Sequence, residues 1–86
     1  MRLIFCNIQL FSCDQIIYVI EDGKQIHARK VDIEDVVPAI CAIASEYNTN
    51  QIKLHGQNVY SNAWADEIKT AYMMNYGNND IEIEVI

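Results

Sequence analysis

The sequence has few basic residues, and this shortage is the first guide to what the chain can bind. Its 86 residues contain six Lys and Arg against twelve Asp and Glu, a formal net charge of −6. On average such a chain repels a phosphate backbone. Only Arg2, Arg29 and Lys30 are candidates for a local basic patch. The charge balance therefore makes nucleic acid an unfavoured partner.

The sequence has no cysteine pairs at a recognisable spacing, and its cysteine pattern does not suggest a disulfide framework or a metal site. Cys6, Cys13 and Cys41 are odd in number, and no two have the C-x-x-C spacing. We expect buried free thiols in a reducing cytosol. A zinc site needs four ligands, and adding His27 and His55 does not produce a recognisable spacing. No metal and no cofactor is predicted.

Long apolar runs are missing. Nothing approaches the roughly 20 apolar residues of a membrane span. Residues 1–10 are interrupted by Asn7 and Gln9, and no small-residue cleavage motif of a secretory signal follows. There is no repeat, linker or low-complexity tract, and the length suits one domain. We expect residues 1–86 to form a single cytoplasmic domain with no membrane contact, small enough to gain stability from a partner subunit.

The first third of the chain predicts a three-stranded meander. Leu3–Phe11 and Ile16–Glu21 are β-branched and aromatic runs, and Gln25–Val31 alternates apolar and polar residues. Asp22-Gly23 between the last two runs favours a type I′ turn, because both residues tolerate positive φ.

A helix is predicted to follow, with Asp32 as its N-cap and Asn48-Thr49-Asn50 closing it. Apolar residues at i, i+3, i+4 and i+7 from Ile33 to Tyr47 form one buried face. Pro38 would remove a helical hydrogen bond if it lay deep in the helix. Either the first turn is distorted, or the regular helix begins at Asp35 and Pro38 lies in its first turn.

The rest of the chain predicts a strand, a second helix and a last strand. The strand is Gln51–His55, and the helix runs roughly from Tyr60 to Tyr76, with Gly77 as its C-terminal stop. Ile81–Ile86 alternates strictly, which is typical of a strand with one buried face. The predicted inner stripe of the second helix is Trp64, Ala65, Ile68, Ala71, Tyr72 and Asn75.

The element order β-β-β-α-β-α-β predicts an α/β (α+β) fold with a single mixed sheet. Right-handed crossovers that progress in one direction place both helices on one face of that sheet. This order resembles the core of the ribonuclease H-like superfamily, whose sheet runs 3-2-1-4-5. The resemblance covers the whole chain and lies in the order of elements, not in any motif.

For metal-dependent hydrolysis, the resemblance implies one carboxylate in the first strand and another at the end of the fourth, because shared acids hold the metals. The first strand offers Cys6-Asn7-Ile8 at its centre, and the fourth ends in His55-Gly56. A glycine-rich phosphate loop of the actin-like kind is also missing, since Gly23 belongs to a hairpin. We therefore expect no catalytic residues and no enzyme.

What remains is a hypothesis about partners. The first two strands are apolar on both faces, and strands of this kind are normally covered on both. A protein-interaction or structural domain, self-associating as a homodimer through the helix-free face or the last strand, is the preferred interpretation. It would suit an accessory protein of a phage or mobile element. The candidate interface residues are Phe5, Ile16, Tyr18, Ile20, Ile81, Ile83 and Val85.

Two alternatives stay open. An acidic inhibitor could mimic nucleic acid and block a host enzyme. A small-ligand protein or an enzyme could instead use the strand end at His55 and Gly56, with Asn7 beside it, because ligand sites form at the carboxyl ends of parallel strands.

Overall fold

The computed structural model describes residues 1–9, 11–56, 59–77 and 80–86, and only the backbone of residues 59 and 60. Its elements follow the predicted order. They are β1 (Arg2–Asn7), β2 (Asp14–Glu21), β3 (Lys24–Asp32), α1 (Val36–Glu46), β4 (Gln51–His55), α2 (Val59–Tyr76) and β5 (Glu82–Val85), with a 3₁₀ turn over Ile33–Asp35 before α1.

The five strands form one mixed sheet in the order β3-β2-β1-β4-β5. β1 pairs antiparallel with β2, and β2 with β3, whereas β4 runs parallel to both β1 and β5. The predicted fold class and strand order are therefore confirmed. The hairpin turn is also confirmed, with φ of 51° at Asp22 and 83° at Gly23.

The start of α1 resolves the question that Pro38 raised. The Asp32 side chain accepts a hydrogen bond from the Glu34 N–H (2.9 Å) and caps the 3₁₀ turn. The regular helix begins only at Val36, so Pro38 is its third residue, in the first turn, where no intrahelical acceptor waits for an N–H. The first predicted alternative, a distorted first turn, corresponds to the 3₁₀ turn; in the second, Pro38 does lie in the first turn, but the regular helix begins one residue later than the predicted Asp35.

At the other end of α1, Asn48 adopts the left-handed conformation with φ of 52°. The Asn48 N–H donates to Ser45 O, and the Thr49 N–H donates to Ala44 O. This pair of bonds satisfies carbonyls that the last turn leaves free and reverses the chain toward β4.

The core lies on one side of the sheet, beneath both helices. Ile4, Ile17 and Leu54 of the sheet are fully buried there, as are Ile40 and Ile68 of the helices. Residues 64, 65, 68, 71 and 72 of the predicted α2 stripe face this core, whereas residue 75 is exposed. Among the described residues, no helix is both long and apolar enough to cross a membrane.

Two strand boundaries differ from the prediction by two residues or more, and the others by at most one. β1 ends at Asn7 rather than Phe11, and β2 begins at Asp14 rather than Ile16. Residues 8, 9 and 11–13 are not part of either strand, which the apolar composition of the run had concealed. Residue 10 lies outside the described residues.

Candidate functional site

The sheet has a second face, opposite the helices, that we call the open face. Its apolar side chains are Leu3, Phe5, Ile16, Tyr18, Ile20 and Ala28. They belong together because side chains alternate along a strand and residues in register share a face. Phe5 is in register with Tyr18, and Tyr18 with Ala28. No described helix packs against these residues, so the open face is an apolar patch whose side chains are half-buried or, at Ile16 and Ala28, exposed.

Aromatic rings occupy the middle of the open face. The Phe5 and Tyr18 ring centroids lie 6.4 Å apart at an interplanar angle of 37°. On the other side of Phe5, the His55 ring lies 6.2 Å away at 28°. Ile16, next to this row, is 41% exposed, a large value for an isoleucine in the second strand of a sheet. The row joins β2, β1 and β4 across the centre of the sheet.

A groove of about 530 Å³ opens at one end of this face. Phe5, Ile16 and Tyr18 form its apolar wall. Its polar lining consists of Asn7, Gln9, Ser12, Asp14 and Lys30. Lys30 Nζ lies 3.3 Å from Asp14 Oδ2, so the two charges on the rim compensate each other. The groove combines an apolar wall with an electrically neutral rim.

The structure brings two of the three predicted pocket residues together. Asn7 and His55 are in register at the carboxyl ends of β1 and β4, and His55 Nδ1 donates to Asn7 Oδ1 (2.9 Å). Gly56 follows at once, with φ of 116° and its carbonyl accepting from Ser61 Oγ (2.6 Å). Asn7 lines the groove. His55 does not line it, but it contacts two residues that do, Asn7 and Phe5.

These same two positions are where the resemblance implies catalytic carboxylates. The parallel pairing of β1 and β4 places these two positions side by side, as shared metal ligation would require. The side chains there are the amide of Asn7 and the imidazole of His55, not carboxylates. In the described part of the chain, no three His, Cys, Asp or Glu side chains are grouped so that they could hold a metal ion.

The loop from Ile8 to Cys13 carries the residues that sequence reasoning missed. The Gln15 side chain is fully buried and binds the loop three times. Its Oε1 accepts from the Gln9 N–H (2.8 Å), and its Nε2 donates to Gln9 O (2.8 Å) and Ser12 O (3.1 Å). Between these anchored residues stands Phe11, whose side chain is fully exposed. The only sequence signal was a glutamine at an inward-facing position of a strand.

The apolar side chains at the last strand face the core rather than the open face. Ile81 is buried, and Ile83 and Val85 are half-buried against the core. These three predicted interface residues therefore lie on the helix side of the sheet. Glu82 and Glu84 point to the open face, at its β5 margin.

The three thiols differ in environment, and all are free. Burial raises the pKa of the Cys6 thiol to about 11 and also raises that of Cys41. The expectation of buried thiols holds for Cys6 and Cys41 and fails for Cys13, which lies between β1 and β2 and is exposed.

No protein-family model matches the chain, and no curated protein matches it by sequence. Solved structures do match its fold. A Bacteroides thetaiotaomicron protein with an actin-like ATPase fold and unknown function superposes with a TM-score of 0.68 at 14% identity, over 99% of this chain and 32% of that one. Archaeoglobus fulgidus Pelota gives 0.62 at 11% identity, over 99% and 26%. An Aquifex aeolicus PPX-GPPA enzyme gives 0.51 at 18%, over 100% and 36%.

These likenesses show the fold alone, because the sequence identities are low. The chain spans about a third or less of the first two proteins and 36% of the third. The actin-like ATPase fold contains the core that ribonuclease H-like proteins share, so the resemblance holds for that core.

Proposed function

We propose that this chain is a small non-catalytic protein-interaction domain that forms a homodimer through its open face. The observation that carries the proposal is the row of apolar side chains on β1 and β2 opposite the helices, centred on Phe5 and Tyr18. Exposed apolar patches of this kind are typical of interaction sites, and aromatic residues contribute most to the binding energy of interfaces.

The open face is complementary to itself. A two-fold axis parallel to the strands, between β1 and β2, lays β1 of one copy over β2 of the other. Because Phe5 and Tyr18 are in register, each ring then meets the other ring type across the interface. Leu3 and Ile20 are also in register, so they meet in the same way. At these two levels of the sheet, apolar groups thus face apolar groups across the axis.

The charges support the same contact. The open-face parts of β1 to β4 carry Lys30, Lys53, Asp14 and Asp32, whose formal charges cancel, whereas the whole chain carries −6. Two copies of an acidic protein repel each other least where the local charge is zero. Glu82 and Glu84 lie on β5, outside the strands that overlap.

The alternative route, edge pairing of β5 with its copy, is electrostatically unfavourable. An antiparallel pair centred on Ile83 sets Glu82 of one strand opposite Glu84 of the other. Like charges directly opposite each other destabilise a strand pair. The open face therefore supports the dimer better than the terminal edge does. A reducing, cytoplasmic setting suits the three free cysteines and belongs to the proposal.

Replacing Tyr18 with Glu tests the proposal. In the dimer the new carboxylate is buried without a partner, which costs several kcal/mol, so the variant should run as a monomer in light scattering at about 100 μM. Ile16→Glu, at a more exposed position, should do the same with less effect on the monomer fold. Tyr76→Glu, on the exposed surface of α2, is the matched control and should remain dimeric. A Tyr18→Glu protein that folds and stays dimeric would refute the open-face dimer.

A further inference from the structure

Phe11 is the most exposed large apolar side chain in the described part of the chain. It stands beside the groove, because Gln9 and Ser12 on either side of it both line that groove. Removing a large apolar side chain from water is stabilising, so an exposed Phe favours contact with another apolar surface. Its neighbours are held in place, since the buried Gln15 side chain fixes Gln9 and Ser12 through three hydrogen bonds.

We propose that Phe11 is the anchor of the homodimer and inserts into the groove of the second copy. This inference rests on the open-face dimer and names the residue that completes it. The two-fold axis between β1 and β2 brings the loop end of one sheet over the loop end of the other. Each loop then lies above the other copy's groove, where Phe5, Ile16 and Tyr18 offer an apolar wall.

The groove has the capacity for this occupant. Its volume is about 530 Å³, and an apolar cavity of about 150 Å³ is enough to hold a benzene molecule. Its rim pair, Lys30 and Asp14, is neutral, so an uncharged ring enters without facing an unpaired charge. An insertion in both directions at once is what a two-fold interface requires.

The contact area indicates why an anchor is needed. Four overlapping strands, about 4.8 Å apart and about 20 Å long, offer about 400 Å² of flat contact on each copy. This falls short of the roughly 1,200–2,000 Å² in total that specific interfaces bury. Two inserted aromatic side chains add about 150–250 Å² each, which brings the total to the lower end of that range. The second copy is thus the occupant that both the shape and the area favour.

The first test is Phe11→Ser, measured by sedimentation equilibrium. Because Phe11 is fully exposed, the variant should keep the circular dichroism spectrum of the wild type, while the dimer dissociation constant should rise about 30-fold or more, as for an interface anchor. Met74→Ser, which removes another strongly exposed apolar side chain from α2, should leave the dissociation constant unchanged.

The second test is a mixed disulfide between two cysteine variants in a Cys13→Ser background. Phe11→Cys on one copy should cross-link to Ile16→Cys on the other when the two are mixed and oxidised. It should not cross-link to Ile26→Cys, an equally exposed position on β3 that does not line the groove. Cross-linking to Ile26→Cys and not to Ile16→Cys would overturn the insertion.

The outcomes separate this inference from the proposed function. A Phe11→Ser protein that dimerises as tightly as the wild type, while Tyr18→Glu is monomeric, overturns the anchor and leaves the open-face dimer standing. A monomeric wild-type protein overturns both.

Discussion

At the scale of single residues, Gln15 shows how one buried polar side chain shapes a surface. A buried amide is tolerated only when its hydrogen bonds are satisfied, and the loop backbone satisfies three of them. The side chain in turn ends β1 early, since Gln9 bonds to Gln15 instead of continuing the strand. The same bonds keep Phe11 out of the core.

We predict that Gln15→Leu lowers the free energy of unfolding by about 2–3 kcal/mol, because it leaves the Gln9 N–H and two carbonyls without their partner. Gln25→Leu, an exposed glutamine of β3, is the control and should change stability by less than about 0.5 kcal/mol. Urea denaturation of the wild type and the two variants, all at the same protein concentration, measures both changes in unfolding free energy. Equal denaturation midpoints for Gln15→Leu and the wild type would contradict the idea that the Gln15 hydrogen bonds stabilise the protein.

The thiols give a second prediction at this scale. Only the thiolate reacts quickly with disulfide reagents, and burial both shields Cys6 and Cys41 and raises the pKa of each. At pH 8, one thiol should react rapidly in the folded protein and three in denaturant. Cys13→Ser should abolish the rapid reaction, and more than one fast thiol in the wild type would contradict the buried positions.

The raised pKa of Cys6 also has a consequence for stability. The Cys6 thiol ionises near its ordinary value of 9.0 in the unfolded chain and only at about 11 in the folded one. The contribution of the protonated Cys6 thiol to the free energy of unfolding is therefore fully present below pH 9. It is lost as the pH rises toward 11, because the unfolded chain releases the proton first.

At the scale of the elements, the junction of β3 and α1 depends on one cap. Asp32 accepts from the Glu34 N–H, whereas Asp35, which precedes the regular helix, makes no capping hydrogen bond with its side chain. The two aspartates have the same charge and lie near the same helix end. Replacing each in turn therefore distinguishes the stabilising effect of the capping hydrogen bond from that of the charge near the helix dipole.

Asp32→Ala should lower the unfolding free energy by about 1 kcal/mol, the usual cost of removing an N-cap side chain. Asp35→Ala should cost less than half as much, since only the charge near the helix terminus is lost. Thermal or urea unfolding gives both differences. A larger loss for Asp35→Ala than for Asp32→Ala would show that the cap is assigned to the wrong residue.

Prediction from sequence succeeded at the scale of elements where a local signal was strong. Asp22-Gly23 marked the hairpin, and β4 was placed at its observed bounds because His55-Gly56 ends its alternation. The β1–β2 loop was missed because an apolar run contains no local sign of the distant contacts that end it. The bond from Gln15 to the loop depends on tertiary structure, and with it the exposure of Phe11.

At the scale of the whole molecule, the sheet order followed from connection rules, since right-handed crossovers leave few arrangements for two helices and five strands. The same rules predicted that one face would lack a helix. The connection rules could not predict the groove, which Gln9 and Ser12 form together with residues of β1, β2 and β3. Asn7 and His55 were predicted to lie at one end of the sheet, whereas the hydrogen bond between their side chains follows only from the observed register of β1 and β4.

Association of two copies through the open face doubles the mass of the wild-type protein in solution, which sedimentation can measure. Sedimentation equilibrium from about 0.1 to 100 μM brackets the dissociation constant of a modest interface, which is about 1 μM. For the open-face dimer, the expected mass is twice 9.9 kDa at the upper concentrations and falls toward 9.9 kDa on dilution. A mass of 9.9 kDa at 100 μM would contradict it.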